Sequence, residues 1–352
     1  FDEKNPSRPL VGVNLHFKRV ADAGLIHLKG LTSLKDLNLA GTQVTDAGLE
    51  HLKELTGLQT LHLNSTGVTD AGLVHLKGLT SLKDLSLNDQ VTDAGLEHLK
   101  GLTSLQSLSL SATNAVADAG LVHLKGLTSL KNLVLPSFKV TDAGLVHLKG
   151  LTSLQFLWLI SPGVTDAGLV HLKGLTNLTD LLLGNTKVTD AGLVHLKGLT
   201  SLKHLNLMDT QVADVGLVHL KGLTSLQMLE LAGTKVTDAG LVHLKGLTSL
   251  NTLTLSKTNV TDAGLEDLKE MVSLKSLNLS GTKVTDAGVN DLQSALPKSQ
   301  VHSDTKAPTI NKSQAAAVAA ITKLGGRVNF DDRSPGNPVV GVTLRPATDS
   351  DM

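Results

Sequence analysis

The chain has 352 residues, with Lys+Arg 32 and Asp+Glu 32, so its formal charge is zero with histidine neutral. A neutral chain has no electrostatic footprint for nucleic acid or an anionic membrane, and with no Cys it has no disulfide, thiolate metal site or Cys nucleophile. Apolar residues make up 41% but aromatics only 2%, with one Trp, five Phe and no Tyr. That bias toward Leu, Val and Ala predicts a repetitive core, and no apolar run approaches the length needed to span a bilayer.

The chain opens at Phe1 with FDEKNPSRPLVGVNL, and residues 330–344 read FDDRSPGNPVVGVTL. The agreement predicts that the chain ends a few residues into a second array, as a fragment or one unit of a multi-array protein. Residues 1–30 are then a leading segment with a partial repeat.

From residue 31 internal periodicity dominates. Residues 31–54 read LTSLKDLNLAGTQVTDAGLEHLKE, the first of eleven copies that end at Ser294. The third copy (79–101) is one residue short and the fourth (102–126) one residue long. Leu34, Leu37 and Leu39 form an LxxLxL strand pattern that puts Asp36, Asn38 and Ala40 on the opposite face. Thr45 to Lys53 reads as a short helix, capped by Thr45 or Asp46, with Gly78 and its equivalents placed for a left-handed C-terminal cap. The Gly inside every helix (Gly48, Gly72 and so on) implies close approach by a neighbour, because it costs about 1 kcal/mol against Ala. The Thr after the strand (Thr42, Thr66, Thr186 and others) is expected to form a hydrogen-bond ladder along the stack.

One repeat cannot bury its own leucines, so the copies must stack. Strands stack about 4.8 Å apart while helices need about 8–10 Å, so the stack curves with strands inside. The expected fold is an α/β, right-handed, curved solenoid with a parallel sheet on the concave face and short helices on the convex face. Residues 295–302 read as a terminal half-repeat, 303–312 as a linker, and 313–352 as a helix–strand segment like the start of a further array.

The phrase LxxLxxLxLxxTxVTDAGLxxLxG resembles a leucine-rich repeat of the 24-residue class. It is closest to tandem arrays of planctomycete-type bacteria and more distantly similar to GALA effectors and F-box-type repeats. The resemblance covers residues 10–302 and implies partner binding without naming the partner. No F-box-like segment precedes the array. The compartment is open, with a cell-surface or extracellular placement slightly favoured over a cytoplasmic one.

The repeats differ most at the outward strand positions. These are small or polar in repeats one to four, ten and eleven. In the middle they read Asn132, Val134, Pro136; Phe156, Trp158, Ile160; Asp180, Leu182, Gly184; His204, Asn206, Met208; and Met228, Glu230, Ala232. The only Trp therefore projects from the concave sheet with Phe and Met nearby, the residue types enriched at binding surfaces. Asp180 and His204 hold the same place on neighbouring strands, as a polar pair at the rim. The loops beyond are irregular at Phe138, at Pro162 and at the deletion near Asp89. The candidate partner-binding residues are Val134, Phe138, Phe156, Trp158, Ile160, Asp180, Leu182, His204, Met208, Met228 and Glu230, expected as an exposed patch of several hundred Å². Competing readings are drift in a duplicated array and a tail folded back into the groove.

Other signals fit no chemistry. His27, His51, His75 and their counterparts through His243 fall one per helix, too far apart for one metal. The Asp row from Asp46 onward lacks the several carboxylates that calcium needs, and helix capping explains it. No catalytic cluster, cofactor motif or phosphate loop is present. The predicted function is a non-enzymatic scaffold for a protein or peptide ligand, with no cofactor, nucleic acid or membrane insertion. The second reading is a structural protein whose array is a spacer with end-to-end self-association.

Overall fold

The computed structural model describes residues 9–110, 115–137 and 139–304, with part of the tail, residues 320–321, 323, 327–330 and 339–343. Thirteen parallel strands form one sheet: β1 (Gly12–Asn14), β2 (Asp36–Asn38), β3 (Thr60–His62), β4 (Asp84–Ser86), β5 (Ser107–Ser109), β6 (Asn132–Leu135), β7 (Phe156–Leu159), β8 (Asp180–Leu182), β9 (His204–Asn206), β10 (Met228–Glu230), β11 (Thr252–Thr254), β12 (Ser276–Asn278) and β13 (Gln300–His302). Their order in the sheet is their order in the chain. The sheet is curved, with the helices on its convex side. In the tail, β14 (Arg327–Phe330) and β15 (Val339–Thr343) pair antiparallel with a bulge between Asn329 and Phe330. Most of the expected linker and tail helix lies outside the described residues, and among those described no helix is long and apolar enough to cross a membrane.

Register carries each leucine onto its counterpart. Leu133, Leu157 and Leu181 are successive partners, and each is fully buried. The resulting core is a continuous stack from Leu25 to Leu296 made almost entirely of Leu and Val. Most helices are one α-turn, such as Asp142–Leu145, and in several repeats a 3-10 turn continues it, as Val122–Leu124 continues Asp118–Leu121; Gly72–Leu76 and Gly216–Leu220 are 3-10 throughout, and the last helix of the array, Asp286–Ala295, runs ten residues. A one-turn helix is marginal alone, and the buried leucines at its end hold it in place.

The Asp row binds repeat to repeat. Asp22 opens its helix, but its carboxylate accepts from Thr45 of the next repeat, from N–H at 2.7 Å and from the hydroxyl at 2.6 Å. The same pair recurs at Asp142 with Thr165 (2.8 and 2.6 Å) and at Asp238 with Thr261 (2.8 and 2.7 Å). Where Ala replaces Thr, at Ala117 and Ala213, the backbone bond alone remains. Thr is the residue that caps the helix where a cap bond forms, as Thr165 accepts from the Ala167 N–H at 3.3 Å.

This clamp explains the glycine inside the helix. A Cβ on Gly48 would lie 2.5 Å from Asp22 Oδ1, and one on Gly240 would lie 2.5 Å from Asp214 Oδ1. The carboxylate crosses where the Cβ would be.

Two expectations are corrected. Among the described residues the threonines after the strands form no ladder along the stack: Thr42 donates to Leu39 O at 2.6 Å and Thr186 to Leu183 O at 2.7 Å, each closing its own turn. Gly78 and its equivalents are not left-handed either; of that series only Gly30 has positive φ (84°). Consecutive three-residue bonds, such as Leu79 N–H to Leu76 O and Leu82 N–H to Leu79 O, carry the chain from helix to strand without that conformation.

Candidate functional site

The irregular repeats replace the turn threonine with residues that reach backward. Asn88, beside the deletion, donates to Thr66 O at 3.0 Å and Val68 O at 2.8 Å. Ser161 donates to Val140 O at 2.5 Å, and Ser137 donates to Val116 O. Strands β6 and β7 run four residues rather than three, adding a Leu135–Leu159 pair. The middle of the sheet is thus extended where its surface changes character.

On that surface Val134, Trp158 and Leu182 are register partners across β6, β7 and β8, and Phe156 pairs with Asp180. Alternation sends Leu157 and Leu159 into the core, so Phe156 and Trp158 face the concave side. Ile160 and Met208 follow at the C-terminal ends of β7 and β9, and Met228 pairs with His204. The sequence expected an exposed patch. Instead Val134, Phe156, Trp158, Ile160, Leu182, Met208 and Met228 are all half-buried. Side chains on strands about 4.8 Å apart cover one another's flanks, so each shows mainly its tip. The strongly exposed large apolar residues lie elsewhere: Val272 is 86% and Phe17 73% exposed. Phe138 lies outside the described residues.

Trp158 carries an anomaly. Its Nε1 is shielded from solvent and has no hydrogen-bond partner among the described residues. A buried donor left unmade costs about 1–3 kcal/mol, and each such group in a structure calls for a reason.

The polar pair expected at the rim is a larger network. His204 Nδ1 lies 3.7 Å from Asp180 Oδ1, and its Nε2 lies 2.7 Å from Glu230 Oε1. An ionised carboxylate only accepts, so Nε2 carries the proton. Asn206 donates to Glu230 Oε2 at 3.0 Å, and the Thr179 hydroxyl donates to Asp180 Oδ2 at 2.7 Å. The side chains of His204, Asp180 and Glu230 are all partly exposed, Asp180 most at 35%. The pairing of Glu230 with His204 escaped the sequence reading, because they sit at different positions of their strands and meet only diagonally. The signal was present in the one Glu found at an outward strand position.

The N-terminal strands present a different surface. Ser86 Oγ donates to Asn64 Oδ1 at 2.5 Å and lies 2.8 Å from His62 Nδ1. A shallow recess of about 300 Å³ opens there, lined by Gly12, Asn14, Asp36, Asn38, Thr60 and His62 among others. It lies several strands from the apolar patch and is lined by no Phe or Trp. Among the described residues no group of His, Asp and Glu converges as a metal would need.

A family model described as Leucine Rich repeat matches residues 30–53, 198–220, 246–269 and 271–292. No curated protein matches the chain. Among solved structures, an internalin (inlF) from Listeria monocytogenes is 27% identical with a TM-score of 0.64, over 84% of this chain and 86% of that one. A TDR receptor matches at 16% identity with a TM-score of 0.57, over 84% of this chain and 56% of that chain, a likeness of fold alone. Solenoids of this type are typically non-catalytic scaffolds for protein–protein interaction. The repeated phrase, the stacked parallel sheet and these matches give the chain the architecture of a leucine-rich-repeat solenoid.

Proposed function

We propose that the chain is a scaffold that binds a protein or peptide on the concave face of repeats five to nine, centred on Phe156 and Trp158. One observation carries the reading: the only Trp in the chain faces away from the leucine core, flanked on adjacent strands by Val134 and Leu182 and on its own strand by Phe156. The stack needs small or polar residues at these positions and has them at both ends of the array, so packing does not account for the aromatic pair. Aromatic anchors in a half-buried, shape-defined setting are what interface hot spots are made of. The 24-residue phrase further supports grouping the array with those of planctomycete-type bacteria.

A random peptide library displayed on phage, panned against the full chain, tests the reading. Binders selected on the wild-type chain are expected to hold the double variant Phe156→Ser, Trp158→Ser at least about 100-fold more weakly, while its melting temperature stays close to wild type. Equal retention by the double variant, or selection of no binders by the wild-type chain, overturns the site.

A further inference from the structure

The charge beside the aromatic pair defines what it can hold. The chain is neutral overall, yet the outward strand positions from β6 to β10 carry two carboxylates, Asp180 and Glu230, and no Lys or Arg. Among the described residues neither carboxylate pairs with a Lys or Arg; the side chain beside both is His204. Lys203 precedes β9 and is exposed, but it joins no ion pair among the described residues.

The two acids are not equally occupied. Both oxygens of Glu230 accept hydrogen bonds, from His204 Nε2 and Asn206 Nδ2. Asp180 accepts from the Thr179 hydroxyl at Oδ2, while Oδ1 accepts no hydrogen bond among the described residues and faces His204 Nδ1 at 3.7 Å, beyond hydrogen-bond reach. Asp180 also stands beside Phe156 as its register partner on the next strand. The face therefore sets an under-used carboxylate oxygen next to an aromatic ring, with a second aromatic and a second carboxylate close by.

We propose that the segment bound here presents an arginine, seated between the aromatic pair and the Asp180–His204–Glu230 row. This rests on the binding role assigned above and adds the chemistry of the partner. Guanidinium fits where ammonium does not: it is planar and weakly hydrated, stacks on an aromatic face, and donates in a fork to a carboxylate. Stacking on Phe156 or Trp158 brings its edge to Asp180 Oδ1, while the flanking apolar side chains of the segment cover Val134, Ile160 and Leu182. An extended segment also supplies main-chain carbonyls, the acceptors that Trp158 Nε1 lacks.

The phage selection decides this when its binders are sequenced. Arginine is expected at one fixed place relative to an apolar residue, enriched about tenfold over the starting library. Panning against Asp180→Asn, Glu230→Gln is expected to return binders that keep the apolar residue and lose the arginine. Asp180→Asn alone, which leaves the Glu230–His204–Asn206 bonds in place, is expected to lose most of that enrichment and guards against a folding defect in the double variant. Binders from the wild-type chain that carry no arginine preference overturn the inference while leaving the binding face intact. Arginine enrichment that survives both carboxylate variants also overturns it. Lysine enriched as strongly as arginine shows charge without the planar stack and overturns the guanidinium assignment. Loss of all binders with Phe156→Ser, Trp158→Ser tests the face itself, so the two failures are distinguishable.

Discussion

Two rows of side chains run the length of this solenoid and follow different rules. The clamp row repeats almost verbatim: an Asp, a Thr one repeat later and a Gly that leaves space between them, as in Asp142, Thr165 and Gly168. The outward strand row repeats nothing in particular: Thr60, Asp84, Ser107, Asn132, Phe156, Asp180 and His204 are successive occupants of one position. The clamp must mate with a copy of itself on each side, so a change in one member strands two repeats. A concave-face residue meets only its flanking neighbours and solvent, so its chemistry is free to be set by a partner.

The contrast predicts a hierarchy of effects. Leu157, fully buried between Phe156 and Trp158 in sequence, should cost about 2–5 kcal/mol when replaced by Ala, read from the shift of the urea-unfolding midpoint. Trp158→Ser beside it should cost distinctly less, because its ring is half-buried and its N–H unpaired. An equal cost would place the tryptophan in the structural class and blur the distinction between the rows.

Next comes the clamp. Gly168→Ala drives a methyl group into the Asp142 carboxylate and Leu145, and should cost about 1–3 kcal/mol. Gly150→Ala, where a Cβ meets nothing within 4 Å and φ is not positive, should be neutral or stabilising by up to about 1 kcal/mol. If both glycines behave alike in thermal unfolding, the spatial reason for the helix glycine is wrong.

Thr165→Ala should be milder, about 0.5–1.5 kcal/mol. It keeps the backbone bond to Asp142 and reproduces what repeats four and eight already have at Ala117 and Ala213. Hydrogen exchange at the Thr165 amide should stay protected; its loss would mean that the hydroxyl, not the amide, holds the clamp.

The smallest effect belongs to the histidine ladder. Burial, reinforced by Lys77, holds His98 below the ordinary imidazole value of 6.5, and its Nδ1 is shielded without a partner among the described residues. The unfolded chain then takes up a proton that the folded chain resists. His98 therefore subtracts stability as pH falls through the window just below 6.5. His98→Gln should remove that slope in unfolding midpoints compared between about pH 7.5 and about pH 5; an unchanged slope assigns it to other groups.

The features legible in the sequence were those that act within one repeat or through strict periodicity. The period-two leucines of the strand dictate which face is core, and the repeat length stacks Leu133 on Leu157 on Leu181. That alone assigns Trp158 to the hollow. Features that depend on distance between repeats were not legible. Asp46 at a helix start reads as a cap for its own amides, and only the stacked structure shows its carboxylate closing on Thr69 at 2.7 Å. Thr42 reads as a ladder residue, and only the turn geometry returns its hydroxyl to Leu39.

The sequence by itself determined the solenoid, its leucine core and the choice of side chains offered to the concave face, because hydrophobic periodicity acts locally and identically in every copy. The tertiary structure alone decided how the repeats are joined, that Phe156 and Trp158 lie half-buried, and that His204 turns to Glu230 at 2.7 Å rather than to Asp180 at 3.7 Å. Those outcomes depend on the strand spacing and on side-chain directions across strands, which no single repeat encodes.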